Sequence, residues 1–213
     1  MQRLLPVVAS LVLALGACTS ERTPAVDDAA TPPPADQPAE NVPPATINDA
    51  TVPPPANALA PMGPARMDGY GDLDFGMTAE EAKAAWTQGK LDGAAPKGDP
   101  EACFFLSPAG QPTIAHLAFM FENDLFVRYS VENDDMAAPG GGKRGMTEAE
   151  LQKLYANSLK ATPHKYVQGG KYLAIEASGV APSKLVFETD ADGKVTEWRV
   201  GVTPQVDYVE GCS

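Results

Sequence analysis

Gly76-Met77-Thr78-Ala79-Glu80-Glu81 recurs 69 residues later as Gly145-Met146-Thr147-Glu148-Ala149-Glu150. In each copy a threonine stands at a helix N-cap position, and the glutamate three residues on completes a capping box, Thr78 with Glu81 and Thr147 with Glu150. This predicts short helices over Ala79–Trp86 and Glu148–Leu159, the second with Leu151, Leu154, Tyr155 and Leu159 at helical spacing.

Outward from these caps the same offset continues. Each helix is expected to lead to a strand hairpin. In the first copy Ile114–Phe121 turns at Glu122-Asn123-Asp124 into Leu125–Val131. In the second, Lys184–Thr189 turns at Asp190-Ala191-Asp192-Gly193 into Lys194–Val202. Tyr129 and Val131 lie 69 residues before Trp198 and Val200. Cap, hairpin and aromatic in one register indicate a duplication. The expected fold class is α+β: two tandem helix plus antiparallel β-hairpin repeats, about residues 71–134 and 140–204.

The Gly-Met-Thr unit, helix and antiparallel strands resemble the SmpA/OmlA (BamE-type) outer-membrane lipoproteins. Doubled, the unit is similar to the β-lactamase-inhibitory-protein architecture, a resemblance that implies two such units forming one curved antiparallel sheet with helices on one face. The resemblance spans about Gly71 to Pro204 and implies a small envelope lipoprotein. The long proline-rich spacer and the later cysteine pair are departures from that pattern.

The N-terminal residues have the pattern of a targeting signal. Arg3 precedes an apolar run, Leu4 to Leu15, that is too short to span a bilayer as a helix and suits a signal-peptide core. It ends Leu15-Gly16-Ala17-Cys18, which resembles a bacterial lipobox: residues 1–17 would be removed and Cys18 acylated. Two or three acyl chains would anchor the protein in the lipid bilayer, each buried methylene contributing ~0.8 kcal/mol. Thr19 follows the cysteine where aspartate would signal inner-membrane retention, so the resemblance implies the inner leaflet of the outer membrane, with the folded domain in the periplasm.

From Glu21 to Pro64, 44 residues hold 12 prolines, six acids and no aromatic residue. Such a segment cannot bury enough apolar area to offset its ordering entropy. Residues 18–64 therefore read as a lipidated cysteine plus a disordered tether, and residues 65–213 as the periplasmic domain. Proline-rich docking motifs are the alternative use of the tether. The 213-residue chain carries 16 basic and 28 acidic residues, a net charge of −12. That excludes the basic footprint of a nucleic-acid binder and a polybasic lipid patch.

Cys103 and Cys212 are the other cysteines, and an even pair in an oxidising compartment reads as a structural disulfide. It would join the predicted strand Ala102–Leu106 to Val206–Cys212. A redox couple or metal ligation would be the alternatives, yet there is no Cys-x-x-Cys and no nearby histidine.

Strand alternation predicts two faces. Phe119, Tyr129, Phe187 and Trp198 fall on the apolar side that meets the helices as core. His116, Met120, Phe126, Arg128, Glu197 and Arg199 fall on the other, expected to be open and to bind a partner, since Met, aromatic residues and Arg are enriched at interfaces.

Other motifs are weak. Glu188 to Asp192-Gly193 starts like a calcium loop, but Arg199 stands where the bidentate glutamate is required, so a hairpin turn is expected. Pro139-Gly140-Gly141-Gly142-Lys143-Arg144-Gly145 could attract an anion but lacks phosphate-loop spacing, and reads as a flexible link. His164 in Pro163-His164-Lys165-Tyr166 has no hydrolase motif around it. The expectation is a non-catalytic, lipid-anchored envelope protein with no cofactor or metal, binding an envelope or secreted protein as an inhibitor, immunity-like factor or assembly accessory. The alternative is a carbohydrate- or peptidoglycan-binding module, with Tyr166, Tyr172 or Trp198 as stacking platforms.

Overall fold

A computed structural model describes residues 58–99, 101–177 and 182–212. The expected signal peptide, Cys18 and most of the expected tether lie outside the described residues. The folded body starts earlier than residue 65: Ala58 is already buried in the core, and the Ala60 carbonyl accepts the Gly140 amide at 2.8 Å.

The expected α+β class is corrected. Among the described residues the fold is mostly β, with eleven strands and two seven-residue helices. Three two-residue strands, β1 (Ala65–Arg66), β2 (Gly69–Tyr70) and β3 (Leu73–Asp74), form a small antiparallel sheet that alternation did not predict. Helix α1 (Ala79–Ala85) precedes β4 (Leu91–Asp92), β5 (Cys103–Pro108), β6 (Ala118–Glu122) and β7 (Leu125–Val131). Helix α2 (Glu148–Leu154) precedes β8 (Lys160–Pro163), β9 (Lys171–Glu176), β10 (Ser183–Thr189) and β11 (Val195–Val202). Each helix is thus followed by four strands, where a single hairpin was expected. The eight strands run antiparallel in the order β4-β5-β6-β7-β11-β10-β9-β8. Helix α2 stops at Leu154 rather than Leu159, and Ala156 and Asn157 follow it with positive φ. Ile114–His116 is a 3-10 turn instead of strand.

The Gly-Met-Thr motif has a structural reason. Both capping boxes form, Thr78 with Glu81 and Thr147 with Glu150. Gly76 and Gly145 take φ values of 93° and 82°, which favour glycine. Each turn then pairs with a hairpin. Gly76 donates to the Phe126 carbonyl and Phe126 to that of Met77, while Gly145 donates to Val195 and Val195 to Met146. The β6–β7 turn has Asn123 and Asp124 both at positive φ, as a type I′ hairpin needs. Its Asp124 carboxylate accepts the Ala79 amide at the start of α1.

Helices and small sheet cover one face of the large sheet and enclose an aromatic core. Phe119, Tyr129, Phe187 and Trp198 are all fully buried, with Tyr129 and Trp198 edge to face at 5.8 Å. Tyr70 of β2 packs on Trp86, Phe119 and Tyr129. The Tyr129 hydroxyl donates to the Arg66 carbonyl at 2.9 Å, and burial pushes its proton affinity well up.

Candidate functional site

The second face of the large sheet, expected to be open, is covered. After β11 the chain turns through Pro204 and a 3-10 turn, Gln205–Asp207, and runs back across β11, β7 and β5 to Cys212. This C-terminal strap ends in the Cys103–Cys212 disulfide, whose Cα atoms are 5.2 Å apart, so the expected pairing is present. Gly211 rests on the ring of Phe105.

Two arginines hold the strap down. Arg128 of β7 donates to the carbonyls of Tyr208 at 2.6 Å and Gln205 at 3.5 Å, and to the Ser130 hydroxyl at 2.9 Å. Arg199 of β11 donates to the Val206 carbonyl at 2.7 Å. Beneath the strap Glu197 lies 3.5 Å from Arg128 and 3.3 Å from Arg199, and Arg199 also pairs closely with Glu188. Burial, together with the neighbouring Arg199 charge, draws the Arg128 pKa down to about 10. Burial raises that of Glu197 against the pull of both arginines. Lys184 and Asp207 add a partly exposed pair at 2.7 Å on the strap's flank.

Four of the six proposed partner-binding residues are therefore buried. Arg128 is 5 % and Arg199 2 % exposed, because their guanidinium groups bind strap carbonyls. Met120, opposite Arg128 in the ladder, is fully buried on that same covered face. Phe126 sits on the other side altogether. A bulge in the β6–β7 ladder leaves Val127 unpaired, so alternation flips and Phe126 joins Phe119 and Phe121 in the core. Glu197 is half-buried between the arginines. His116 belongs to the 3-10 turn, with the Asn133 amide against its Nε2, apart from the arginine pair.

Sequence reasoning missed the strap and, with it, Glu188, Gln205 and Tyr208. The disulfide itself was the available signal: a C-terminus joined to β5 must cross the sheet to reach it. The glycine-rich link is also corrected. Tyr155 donates to the Pro139 carbonyl at 2.6 Å and accepts the Gly142 amide, while Arg144 binds the Thr196 carbonyl, so the loop is pinned. Residues Asp190–Gly193 form the expected hairpin turn, the Asp190 carboxylate accepting the amides of Asp192 and Lys194. Among the described residues no group of three or more His, Cys, Asp or Glu is placed to hold a metal ion.

Beside the strap lies a cleft of about 580 Å³. Pro96, Asp99, Ala102, Lys165 and the strap residues Tyr208 to Cys212 are among its lining. Asp99, Glu122, Asp207 and Glu210 bring four carboxylates to it against the one lysine. Lys165 pairs with Glu210 at 3.3 Å, its ammonium sits 4.8 Å above the ring of Tyr166, and the Tyr166 hydroxyl donates to Glu210.

No protein-family model matches the chain, and no curated protein matches it. Two solved structures are similar to it in part. One is an extracellular protein containing an SCP domain from Bacillus anthracis, with 11% identity and a TM-score of 0.38, the match covering 60% of this chain and 44% of that one. The other is a DUF4309 family protein, YjgB, from Bacillus subtilis, with 10% identity and a TM-score of 0.34, covering 59% of this chain and 78% of that one. The chain thus spans less than half the length of the first of these. Neither likeness assigns a function.

The aromatic platforms proposed for a glycan are mostly occupied. Trp198 is fully buried. Tyr172 is stacked on His164 at 4.5 Å with Arg199 near its ring. Tyr166 alone of the three is exposed.

Proposed function

We propose that the protein is a lipid-anchored envelope protein whose folded body is a non-catalytic module for binding another protein, and that it does so at the acid-lined cleft beside the strap. The anchor rests on the Leu15-Gly16-Ala17-Cys18 pattern, and Thr19 supports the inner leaflet of the outer membrane. The carrying observation is the strap itself. It removes the sheet face from solvent, engages both arginines, and leaves a groove lined by the strap, Pro96, Asp99, Ala102 and Lys165 as a recessed surface beside it. With Asp207 held by Lys184 and Glu210 by Lys165, the cleft still has Asp99 and Glu122 in excess, which suits a partner that presents basic side chains. His164, Glu188, Glu197 and the arginines, the natural acid–base set, are each held by protein groups. The glycan alternative loses Trp198 and Tyr172 as stacking surfaces.

Site-specific photo-crosslinking in intact cells tests this reading. A crosslinker at Ala102 or Val209 is expected to give one protein adduct that Asp99→Lys with Glu210→Lys abolishes. Equal adducts from Lys160, on the far edge strand, or adducts indifferent to the charge reversal, would sink the cleft assignment. Cys18→Ser is expected to move the protein out of the membrane fraction; retention there would sink the anchor.

A further inference from the structure

His164, just after β8, has both ring nitrogens engaged by its surroundings. Its side chain is 8 % exposed, and its Nε2 lies 3.2 Å from a carboxylate oxygen of Glu188. Its Nδ1 accepts two backbone amides, those of Tyr166 and Val167, each at 3.1 Å, and the Tyr172 hydroxyl lies 3.5 Å from the same nitrogen. A ring nitrogen that accepts two N–H groups has its lone pair engaged and carries no proton. These partners therefore assign the neutral tautomer with hydrogen on Nε2, donated to Glu188.

Of the charged side chains among the described residues around it, Glu188 is the one in contact with the ring, and the others are paired among themselves. On β10 Glu188 is shared with Arg199, and on β11 Glu197 stands beside Arg199. Arg128 of β7 pairs with Glu197. Tyr172 of β9 stacks on the imidazole, while Lys171 of β9 pairs with Glu148 of α2. The turn and strap add Lys165 and Glu210. Two arginines and two glutamates already balance one another. A second proton on the imidazole would have to enter at Nδ1, where two amide dipoles point at it and must leave.

We infer that His164 is a pH-sensitive latch on one wall of the cleft: a proton at Nδ1 displaces the Tyr166 and Val167 amides and frees the 164–167 turn. Lys165 and Tyr166, which that turn carries to Glu210, go with it. Its importance for partner binding rests on the reading above; its existence does not.

The test uses the full-length chain, ¹⁵N-labelled in detergent, so that latch and partner are measured apart. His116 and His164 are the two histidines, and His116→Gln leaves one ring to follow. At neutral pH the His164 nitrogens are expected to report the Nε2–H tautomer. On acidification the Tyr166 and Val167 amides shift with the same midpoint as the ring, and their exchange protection falls about tenfold, the equivalent of one lost hydrogen bond. His164→Asn places an amide oxygen where Nδ1 was; it is expected to keep the turn and abolish the pH dependence. An Nδ1–H tautomer at neutral pH, or amides that stay still while the ring titrates, overturns the latch. An unchanged crosslinking pattern with a working latch would instead count against the cleft reading.

Discussion

Arg128 donates to the carbonyl oxygen of Tyr208 at 2.6 Å, tying together residues 80 positions apart. An arginine in this place looks like a recognition group in the sequence and is a fastening in the fold. Arg128→Ala would leave the Tyr208 carbonyl and Glu197 short of a donor in a buried site, and is expected to lower unfolding free energy by about 3–5 kcal/mol. Urea unfolding measures the loss, and amide exchange should place it in Gln205–Tyr208. A variant as stable as the parent would mean the strap is held by other contacts.

The disulfide closes the same strap from its far end, across 109 residues. In the chain-entropy description, replacing Cys103 and Cys212 by serine costs on the order of 4–5 kcal/mol. Thermal melts with and without reductant check this: the parent is expected to lose stability on reduction and the double variant to be indifferent.

Gly201 lies directly under Arg128. A β-carbon there would stand 2.8 Å from the Cβ of Arg128 and 2.8 Å from the Val127 carbonyl oxygen. Since the latter is backbone, Gly201→Ala is expected to destabilise by about 1–3 kcal/mol and to displace the arginine. Neutral behaviour in urea would contradict that packing.

The bulge at Val127 decides which of two adjacent residues, Leu125 or Phe126, faces the core. Leu125 is 42% exposed while Phe126 is fully buried. Leu125→Asp is expected to change stability by no more than about 0.5 kcal/mol. Phe126→Asp removes a core ring and inserts a charge, a loss of more than about 3 kcal/mol. Reversed outcomes in parallel denaturation curves would put the flip of alternation elsewhere.

Both capping boxes should be visible as a pH dependence. Glu81 and Glu150 accept the backbone and hydroxyl hydrogens of Thr78 and Thr147, which holds each carboxyl below the ordinary 4.5. A pKa lower folded than unfolded gives stability that is complete above the unfolded value and fades as pH falls through the folded one. Glu81→Gln and Glu150→Gln should therefore be less stable than the parent at pH 7 and converge on it as pH falls through the lowered carboxyl values. A gap that stays constant down to acid pH would exclude the carboxylates as its source.

The local chemistry of this fold was plain in its residues, and its closure was not. Thr78-x-x-Glu81 and Thr147-x-x-Glu150 mark their helices because a capping box is satisfied within four residues. Phe119, Tyr129, Phe187 and Trp198 declare the core through simple alternation. Alternation fails at Phe126, since one extra residue in β7 reverses every side chain beyond it. It is silent on β1 to β3, strands of two residues that show no period at all. Glu197 and Arg199 alternate with Trp198 as they would on a wet surface; what makes that surface dry is a segment that begins at Pro204 and packs on β7, β10 and β11.

The two ends of the described chain approach the large sheet from opposite sides. Ala58 is embedded in the layer of α2 and Tyr155, whereas Cys212 is fixed to β5 on the reverse. Tension applied through the N-terminal segment therefore meets the Ala60–Gly140 bond and the short strands after it before it reaches the disulfide-bonded C-terminal lap. Mechanically, a pull on residue 58 can lift the front cover of this molecule while its back stays shut.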